Sequence, residues 1–503
     1  MQKTISVKNI EYSVHEKPIL QGISFRCADD ERICIFGENG AGKSTLLKII
    51  CGELEQDSGN IEKQGHIRFV YVPQEFDHAY QDLPIEAYVK EKAGDTLSKK
   101  VHSTAKILGF NIEKHKDTHC GRLSGGQQKI LALSCAFALA PDFLLLDEPE
   151  NHLDIVSRVE LVRLLEEFRG AIIFISHDRL LIDGVATKIG EIVQGKIFIS
   201  EGDYDDYIQT KVERISGLQR EHDARSKRIK QLSSTIVILQ QKAFRGKEVS
   251  AYKRAKEELA QLKKEAKENG RPDEAQNKIK IASTEQGLHG GKLVMKIVKG
   301  LFEFENPKKR IFGDVDLEIR TGDKIVLLGR NGSGKSTFLK CLTSELELSK
   351  GEVTFGNGIS YAYFDQHAQF DPELSAVDIV CQKLNMIDQE ARSVLGMMKF
   401  DTPRMIAPIK NLSGGERMRL RFAIVFGQRP DLIILDEPTN HIDEVTWEIL
   451  LEACKTSKST LLLVSHDYEF IEAFAPSMFW VIHNQTILPR HKELNDLLEE
   501  LKA

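Results

Sequence analysis

Apolar residues fall into two patterns along this chain, and each predicts a different kind of structure. The first pattern is short and unbroken: RICIF at Arg32–Phe36, FLLLD at Phe143–Asp147, AIIFIS at Ala171–Ser176, LIILD at Leu432–Asp436 and LLLVS at Leu461–Ser465. Runs of this length without polar alternation read as strands buried on both faces, as in a parallel sheet covered by helices. The second pattern lies between Tyr204 and about Gln286, where apolar residues recur at helical spacing among many charges, with one proline, Pro272. Long helices are expected there. The polarity changes near AFRGKEVSAYK, Ala243 to Lys253, where Gly246 allows a turn. Two helices returning on each other, an antiparallel hairpin, are therefore predicted.

The chain is also written twice. GENGAGKSTLLK at Gly37 returns as GRNGSGKSTFLK at Gly329, LSGGQ at Leu123 as LSGGE at Leu412, and DEP at Asp147 as DEP at Asp436. VPQE at Val72 is matched by YFDQH at Tyr363, and FISHD by LVSHD. Lys335 − Lys43 and Gln366 − Gln74 both give 292; Ser413 − Ser124, Glu437 − Glu148 and His466 − His177 all give 289. Motifs in one order at a near-constant offset predict two homologous α/β domains, 1–203 and 291–503, with the helical segment 204–290 between them.

A length of 503 residues already exceeds one ordinary core, and 41% apolar with 29% charged residues is a soluble globular composition. The N-terminus reads directly as a strand, with no secretory signal, and no apolar run approaches the roughly 18–20 residues that span a bilayer. A cytoplasmic protein is expected. Eight scattered cysteines, Cys27, Cys34, Cys51 and Cys135 among them, sit in apolar or helical contexts that suggest buried thiols. The net charge of −6 hides a basic stretch, Lys211 to Lys264, with 15 Lys+Arg against 6 Asp+Glu. A basic segment inside an acidic protein suggests a polyanionic partner.

GENGAGKST fits G-x-x-x-x-G-K-[ST], and its setting between an apolar strand and a helical run is the one that loop requires. Gly37, Gly40 and Gly42 let the backbone turn its N–H groups toward phosphate oxygens, at a helix start that favours anions. Lys43 reaches the outer phosphates and Ser44 is a ligand for Mg²⁺, with Asn39 and Thr45 assigned to the same nucleotide site. Gly329, Asn331, Gly332, Gly334, Lys335, Ser336 and Thr337 are their counterparts. Asp147, at the carboxyl end of its strand, is placed to hold Mg²⁺; Glu148, one residue on, to orient or deprotonate the attacking water. Asp436 and Glu437 match them. LSGGQ and LSGGE open long apolar helices and add a second anion-binding helix start to each domain. His177 and His466 end apolar strands beside the phosphate sites, where they would sense the γ-phosphate.

Taken together these residues resemble the ATP-binding cassette family, over both domains. The resemblance implies ATP hydrolysis with Mg²⁺. It makes Gln74 and Gln366 the Q-loop residues and further Mg²⁺ ligands, His177 and His466 the switch histidines, and Asn151–Asp154 and Asn440–Asp443 the D-loops. It also implies head-to-tail closure. Ser413, Gly414 and Gly415 would complete the Lys43 site, and Ser124, Gly125 and Gly126 the Lys335 site, so one chain contains its own dimer. The adenine-stacking position falls among Tyr12, Val14 and Phe304.

Two cassettes joined by a charged hairpin look like the ABC-F subfamily, which binds ribosomes. FRGKEVSAYKRAKEELAQLKK is similar to that subfamily's linker tip and returning helix, which reaches from the ribosomal E-site, with its tRNA, toward the peptidyl-transferase centre. Arg225, Lys227, Arg228, Lys230, Lys242, Arg245, Lys247, Lys253 and Arg254 would then meet rRNA phosphates, with Ile236, Val237, Ile238, Leu239 and Phe244 near the tip. Binding of this kind weakens with salt. Only about 50 residues separate Gln74 from Ser124, which leaves no room for the extra arm of some housekeeping members. That absence, with the short stretch after the second cassette, resembles members that protect ribosomes from antibiotics. The competing reading is a tandem-cassette importer subunit docking on separate membrane proteins, which has no use for a long basic hairpin. Glu150 stands where the second copy has Thr439. A third carboxylate near Glu148 predicts unequal hydrolysis at the two sites, unless its side chain only points to solvent.

Overall fold

A computed structural model describes residues 3–37, 40–244, 249–268, 291–305, 308–364, 370–440 and 442–502. The unbroken apolar runs form the middle of two like-built sheets. In the first half, Phe143–Asp147 pairs in parallel with Phe69–Val72 on one side and Ala171–Ile175 on the other. Ala171–Ile175 in turn pairs in parallel with Arg32–Gly37. Every residue of FLLLD and AIIFI is buried, which is why neither run alternates. The second half repeats this order as Tyr361–Phe364, Leu432–Asp436, Thr460–Val464, Lys324–Leu328, Met478–His483 and Thr486–Arg490.

Spatial order differs from chain order at a functionally decisive place. Ala171–Ile175 inserts between Phe143–Asp147 and the earlier strand Arg32–Gly37. Three carboxyl ends therefore lie side by side, and the segments that leave them begin with the phosphate loop, Glu148 and Ser176. Open parallel sheets build ligand sites at such ends.

Each half adds a three-stranded antiparallel sheet: Lys17–Ala28, Thr4–Val14, Ser58–Gln64 in the first, and Lys308–Arg320, Leu293–Glu305, Lys350–Phe355 in the second. In the first half, Ile5, Val7 and Ile23 from this sheet pack with Leu46, Leu47 and Ile50 of the helix Lys43–Cys51 and with Ile33, Phe143 and Ile173 of the parallel sheet. The helix that follows the phosphate loop is thus sandwiched, and each buried Leu or Ile contributes about 1.5–3 kcal/mol. The core of the second half also takes in Ile155 and Val156 from the first.

The chain divides into two compact units, Met1–Ala186 with Gly190–Phe198 and Leu288–Ala503, and Thr187–Ile189 with Ile199–Gly287. The first holds both halves. The second holds the helices Tyr204–Phe244 and Val249–Glu268. Four residues separate these helices, yet Arg228 bonds Glu258 at 2.8 Å, so they run back on each other as an antiparallel pair. Lys227, Lys230, Lys253 and Arg254 are exposed, Arg225, Ile236 and Leu239 are half-buried, and Leu232 is buried. Arg245, Gly246 and Lys247 lie outside the described residues, as do the side chains of Val237, Ile238, Lys242 and Phe244.

Among the described residues no helix is long and apolar enough to cross a membrane. All eight cysteines are free. Cys27, Cys34 and Cys135 are buried as expected, but Cys51 is only half-buried. It ends the helix Lys43–Cys51, where its thiol turns back to the Lys48 carbonyl at 3.3 Å.

Candidate functional site

The helices Lys43–Cys51 and Lys335–Leu342 start without a side-chain cap, behind Gly42 at φ 95° and Gly334 at φ 102°. Their first N–H groups are therefore left for an anion. A Cβ on Gly42 would meet Ile19 Cγ2 at 2.6 Å, so the loop tightens only with glycine there. Gly40 and Gly332 also have positive φ, but their Cβ positions face open space, with no heavy atom within 4 Å. Lys43 Nζ donates to Gly37 O at 2.6 Å, and Lys335 Nζ to Gly329 O at 2.9 Å and Arg330 O at 3.3 Å. Both lysines are buried. Burial pulls the Lys335 ammonium below its usual range, with Glu437, Asp154 and Asp436 opposing. Ser44, Thr45, Ser336 and Thr337 occupy the first turns of the two helices.

The acids sit where the strand order puts them. Asp147 Oδ2 accepts from Tyr71 Oη at 3.1 Å, and Asp436 Oδ2 from Tyr363 Oη at 3.1 Å. Asp147 Oδ1 is buried and has no hydrogen-bond partner. An unsatisfied buried group of this kind costs on the order of 1–3 kcal/mol, and a divalent cation would satisfy it. Together with the open cradle at Gly40, this donor set fits a nucleotide phosphate and its cation. Burial raises the Asp436 carboxyl, and the hydroxyls of Tyr363 and Ser336 oppose the rise.

Glu148 and Glu437 both have left-handed backbones, φ 45° and 49°. That conformation costs roughly 1–2 kcal/mol for a residue with a Cβ, and it turns each side chain out of its strand. Glu148 Oε2 accepts from Gln74 Nε2 at 2.7 Å and from Asn151 Nδ2. Glu437 Oε1 lies 3.2 Å from His466 Nε2. Burial lifts Glu437 to about 7, with Lys335 opposing and Asp436 adding. Burial also makes both histidines neutral. His177, packed on Phe36, drops to about 4, and His466 falls well below its usual value. His466 Nδ1 accepts from the backbone N–H of Ile155 at 3.3 Å. The proton of the neutral ring is then on Nε2, facing Glu437.

The two halves meet at the second phosphate loop. Asn331 N donates to Asp154 Oδ2 at 2.8 Å, and Asn331 Nδ2 to His152 O at 2.8 Å. Ser124 caps the helix Gly125–Leu139 in a box with Gln127, as Ser413 caps Gly414–Gly427 with Glu416. A Cβ on Gly126 would strike His152 O and sit 3.5 Å from Asn331 Nδ2. Ser124–Gly126 and the Lys335 loop are thus brought to one place. For the Lys43 site, Gly415 packs against Asp443 and Thr446, and the Asp443 charge acts on His177. Asn39 and Gln366 lie outside the described residues. Tyr12 packs on the core, whereas Val14 and Phe304 are exposed near the ends of their strands.

Glu150 does not point to solvent. It is buried, and its Oε1 accepts from Ser176 Oγ at 2.7 Å and from the His177 N–H at 3.3 Å. Thr439 makes the corresponding contact to Ser465 at 2.9 Å. Burial raises Glu150 to about 7, and Asp178 adds to the rise. Sequence reasoning also missed Tyr71, Tyr363 and Lys129. The tyrosines had a signal, since they stand at the 292 offset in matching strands. Lys129 Nζ donates to Pro73 O at 2.8 Å and Asp147 O at 3.2 Å from inside a helix that reads as apolar.

A family model described as "ABC transporter" matches residues 20–151 and 312–440. A second, described as "AAA domain, putative AbiEii toxin, Type IV TA system", matches 120–183. The chain is 33% identical to "ATP-binding protein Uup" of Haemophilus influenzae, over 94% of this chain and 78% of the relative. It is 31% identical to "Putative ATP-binding protein YdiF" of Bacillus subtilis, over 94% and 79%. Among solved structures, an archaeal ribosome recycling factor, aABCE1, in complex with the ribosomal stalk protein aP1 superposes with a TM-score of 0.67 at 20% identity, covering 98% of this chain and 92% of that one. ABCE1 from a model of ribosome-bound archaeal Pelota and ABCE1 gives 0.64 at 20%, covering 99% and 80%. At that identity the structural likeness is one of fold.

Proposed function

The chain belongs to the ATP-binding cassette family and is a tandem-cassette ATPase of the ABC-F type, and from that premise we propose that Mg²⁺-ATP at two composite sites switches its attachment to the ribosome. Ser44, Asp147 and Gln74 would hold Mg²⁺ at one site, and Ser336, Asp436 and Gln366 at the other. The ion, when bound, neutralises charge on the transferred phosphoryl group. Phosphate-loop N–H groups and Lys43 or Lys335 bind the triphosphate. Glu148 and Glu437 orient the attacking water and accept its proton. His177 and His466, neutral, offer a ring N–H near the γ-phosphate. Ser124–Gly126 and Ser413–Gly415 close the opposite sites.

The observation that carries this reading is the pair of bonds from Asn331 to Asp154 and His152, which joins one phosphate loop to the other cassette's D-loop. A triphosphate at such a junction would hold the cassettes together, and hydrolysis would release them. The hairpin within 204–290, between cassettes 1–203 and 291–503, is the ribosome-binding element on this reading. Its exposed Lys227, Lys230, Lys253 and Arg254 suit rRNA phosphates. Arg228 is partly engaged by Glu258. The recycling factor and the ribosome-bound neighbour lend the reading its direction by fold analogy alone. The protein would work in the cytoplasm, as one chain, in translation regulation or in protecting ribosomes from antibiotics.

The test is co-sedimentation of the Glu148→Gln, Glu437→Gln double variant with ribosomes, in ATP and in ADP, across a salt series. ATP-dependent, salt-sensitive pelleting supports the reading, and a drug-protection assay then separates the two cellular roles. No pelleting while ATP binding is intact would overturn it.

A further inference from the structure

Arg158 lies one turn into the helix Ile155–Glu166, just past the first D-loop. Its Nη1 donates to Asp178 Oδ2 at 2.9 Å, and its Nε to Leu153 O at 3.2 Å. Asp178 directly follows His177, so Arg158 ties the first switch turn to the helix behind the D-loop. The matching residue in the second cassette is Trp447 (447 − 158 = 289). Trp447 Nε1 donates to Asp467 Oδ2 at 2.8 Å. The same tie is thus made once by a cation and once by a neutral ring.

The cation reaches further than its counterpart. Ile155, three residues before it, bonds His466 of the other cassette, and Ile155 and Val156 sit in that cassette's core. Nearby Arg179 pairs with Glu469 across the same interface. The carboxylates acting on Arg158 include Asp178 and Glu150 of its own cassette and Asp467 and Glu437 of the other. Arg158 in turn opposes the burial that raises Glu437 and Asp467. Its side chain is only 13% exposed. Arg158 Nε also holds the Leu153 carbonyl inside the D-loop, whose neighbours His152 and Asp154 bond Asn331 of the second phosphate loop.

We propose that Arg158 is a positioning residue for both hydrolysis sites: within its own cassette it fixes the turn that carries His177, and through Leu153 O it braces the D-loop whose His152 and Asp154 hold Asn331 and whose next residue, Ile155, bonds His466 of the second site. The cross-interface arm runs one way, because the single N–H of the Trp447 ring is spent on Asp467 and leaves none for its own D-loop. This inference rests on the reading of Glu437 as the second site's base.

Single-site turnover tests it. Glu148→Gln leaves the second site working and Glu437→Gln the first; kcat and KM for ATP are measured in each background with Arg158→Met, Arg158→Lys and Arg158→Trp. In the Glu148→Gln background, Met and Trp should lower kcat about tenfold or more with KM within about twofold, and Lys should restore most of it. Arg158→Trp copies the tie of Trp447, so it should fold and keep most first-site turnover in the Glu437→Gln background. It therefore decides the matter even if the Met variant is unstable. Second-site kcat unchanged in Arg158→Trp, while Glu437→Gln alone abolishes that site, overturns the inference and leaves the base assignment standing. If Glu437→Gln alone leaves second-site turnover intact, the base assignment falls and the inference with it.

Discussion

The backbone N–H of Ile155 donates to Nδ1 of His466, 311 residues further along the chain. One cassette thereby sets the tautomer of the other's histidine and leaves the proton on Nε2, 3.2 Å from Glu437 Oε1. The donor belongs to the residue that follows the first cassette's D-loop, so second-site turnover is expected to depend on how that loop is seated. Ile155→Pro tests this without breaking the helix. Position 155 is the first helical residue, where proline is tolerated, and Asp154 before it is already extended at φ −74°, ψ 164°. With the donor gone, second-site kcat should fall roughly tenfold in a Glu148→Gln background, with ATP affinity nearly unchanged. Equal turnover with Ile and Pro would mean that the tautomer is set by something else.

Gly126 is needed for clearance rather than for an unusual backbone. An added Cβ would strike His152 O, the carbonyl that accepts from Asn331 Nδ2. Alanine is the better helix former in isolation, so Gly126→Ala should leave the fold of the first cassette intact. It should nevertheless cost about 10²-fold in turnover at the Lys335 site, because a shift near 1 Å at a reacting centre costs that much. Nucleotide binding by the isolated phosphate loop should survive. Steady-state hydrolysis in the Glu148→Gln background, beside a fluorescent-nucleotide titration, separates the two effects.

Much of this architecture was legible in the sequence because its signals are local. FLLLD and LIILD announce buried parallel strands, and the repeat offsets place both phosphate loops, both acid pairs and both histidines. The head-to-tail pairing came from family resemblance, and Asn331, Asp154 and His152 now give it a geometry at one site. What stayed hidden depends on side-chain direction. Glu150 follows a proline in a polar turn, where the sequence leaves a role near Glu148 and a solvent-facing side chain both open, and the left-handed backbone at Glu148 turns the chain so that Glu150 faces Ser176. Arg158 and Lys129 look like ordinary helix-surface charges until the packing brings Asp178 and Pro73 beside them. Hydrogen bonds that span 20 to 56 residues leave no periodic trace.

Lys129 supports the segment that leads into Gln74, through its bonds to Pro73 O and Asp147 O. Burial depresses its ammonium to about 8, with Glu150, Asp147 and Glu148 opposing. Folding therefore disfavours the charged form, and this cost grows as pH falls from about 10.5 toward 8 and stays in place below. The second cassette has Met418 at the matching position (418 − 129 = 289), packed against its core. Lys129→Met should then change stability at pH 7 by no more than about 1 kcal/mol, since relief of desolvation offsets the lost bonds. First-site kcat should drop roughly three- to tenfold as the Gln74 loop loosens. The comparison is turnover in the Glu437→Gln background with thermal midpoints alongside. A large stability loss with normal kcat would make Lys129 a purely structural residue.

Glu150 gives a pH dependence of definite sign. Its carboxyl moves from 4.5 to about 7 on folding, chiefly through burial, with Asp178 adding and Ser176 and Arg158 opposing. Near pH 4 and below, the acid is protonated in the folded and unfolded chain alike. As pH rises from about 4.5 to about 7, the unfolded chain releases the proton while the folded chain keeps it, so stability falls across that window and then levels off. Glu150→Gln keeps an acceptor for Ser176 and the His177 N–H but cannot ionise. It should match the parent near pH 4 and exceed it by about 1–3 kcal/mol at pH 8. Denaturation midpoints of the two proteins at pH 4 and 8 provide the measurement. A difference that does not grow with pH would mean that Arg158 keeps Glu150 ionised throughout, and the buried acid would then act as a fixed charge instead of a titrating one.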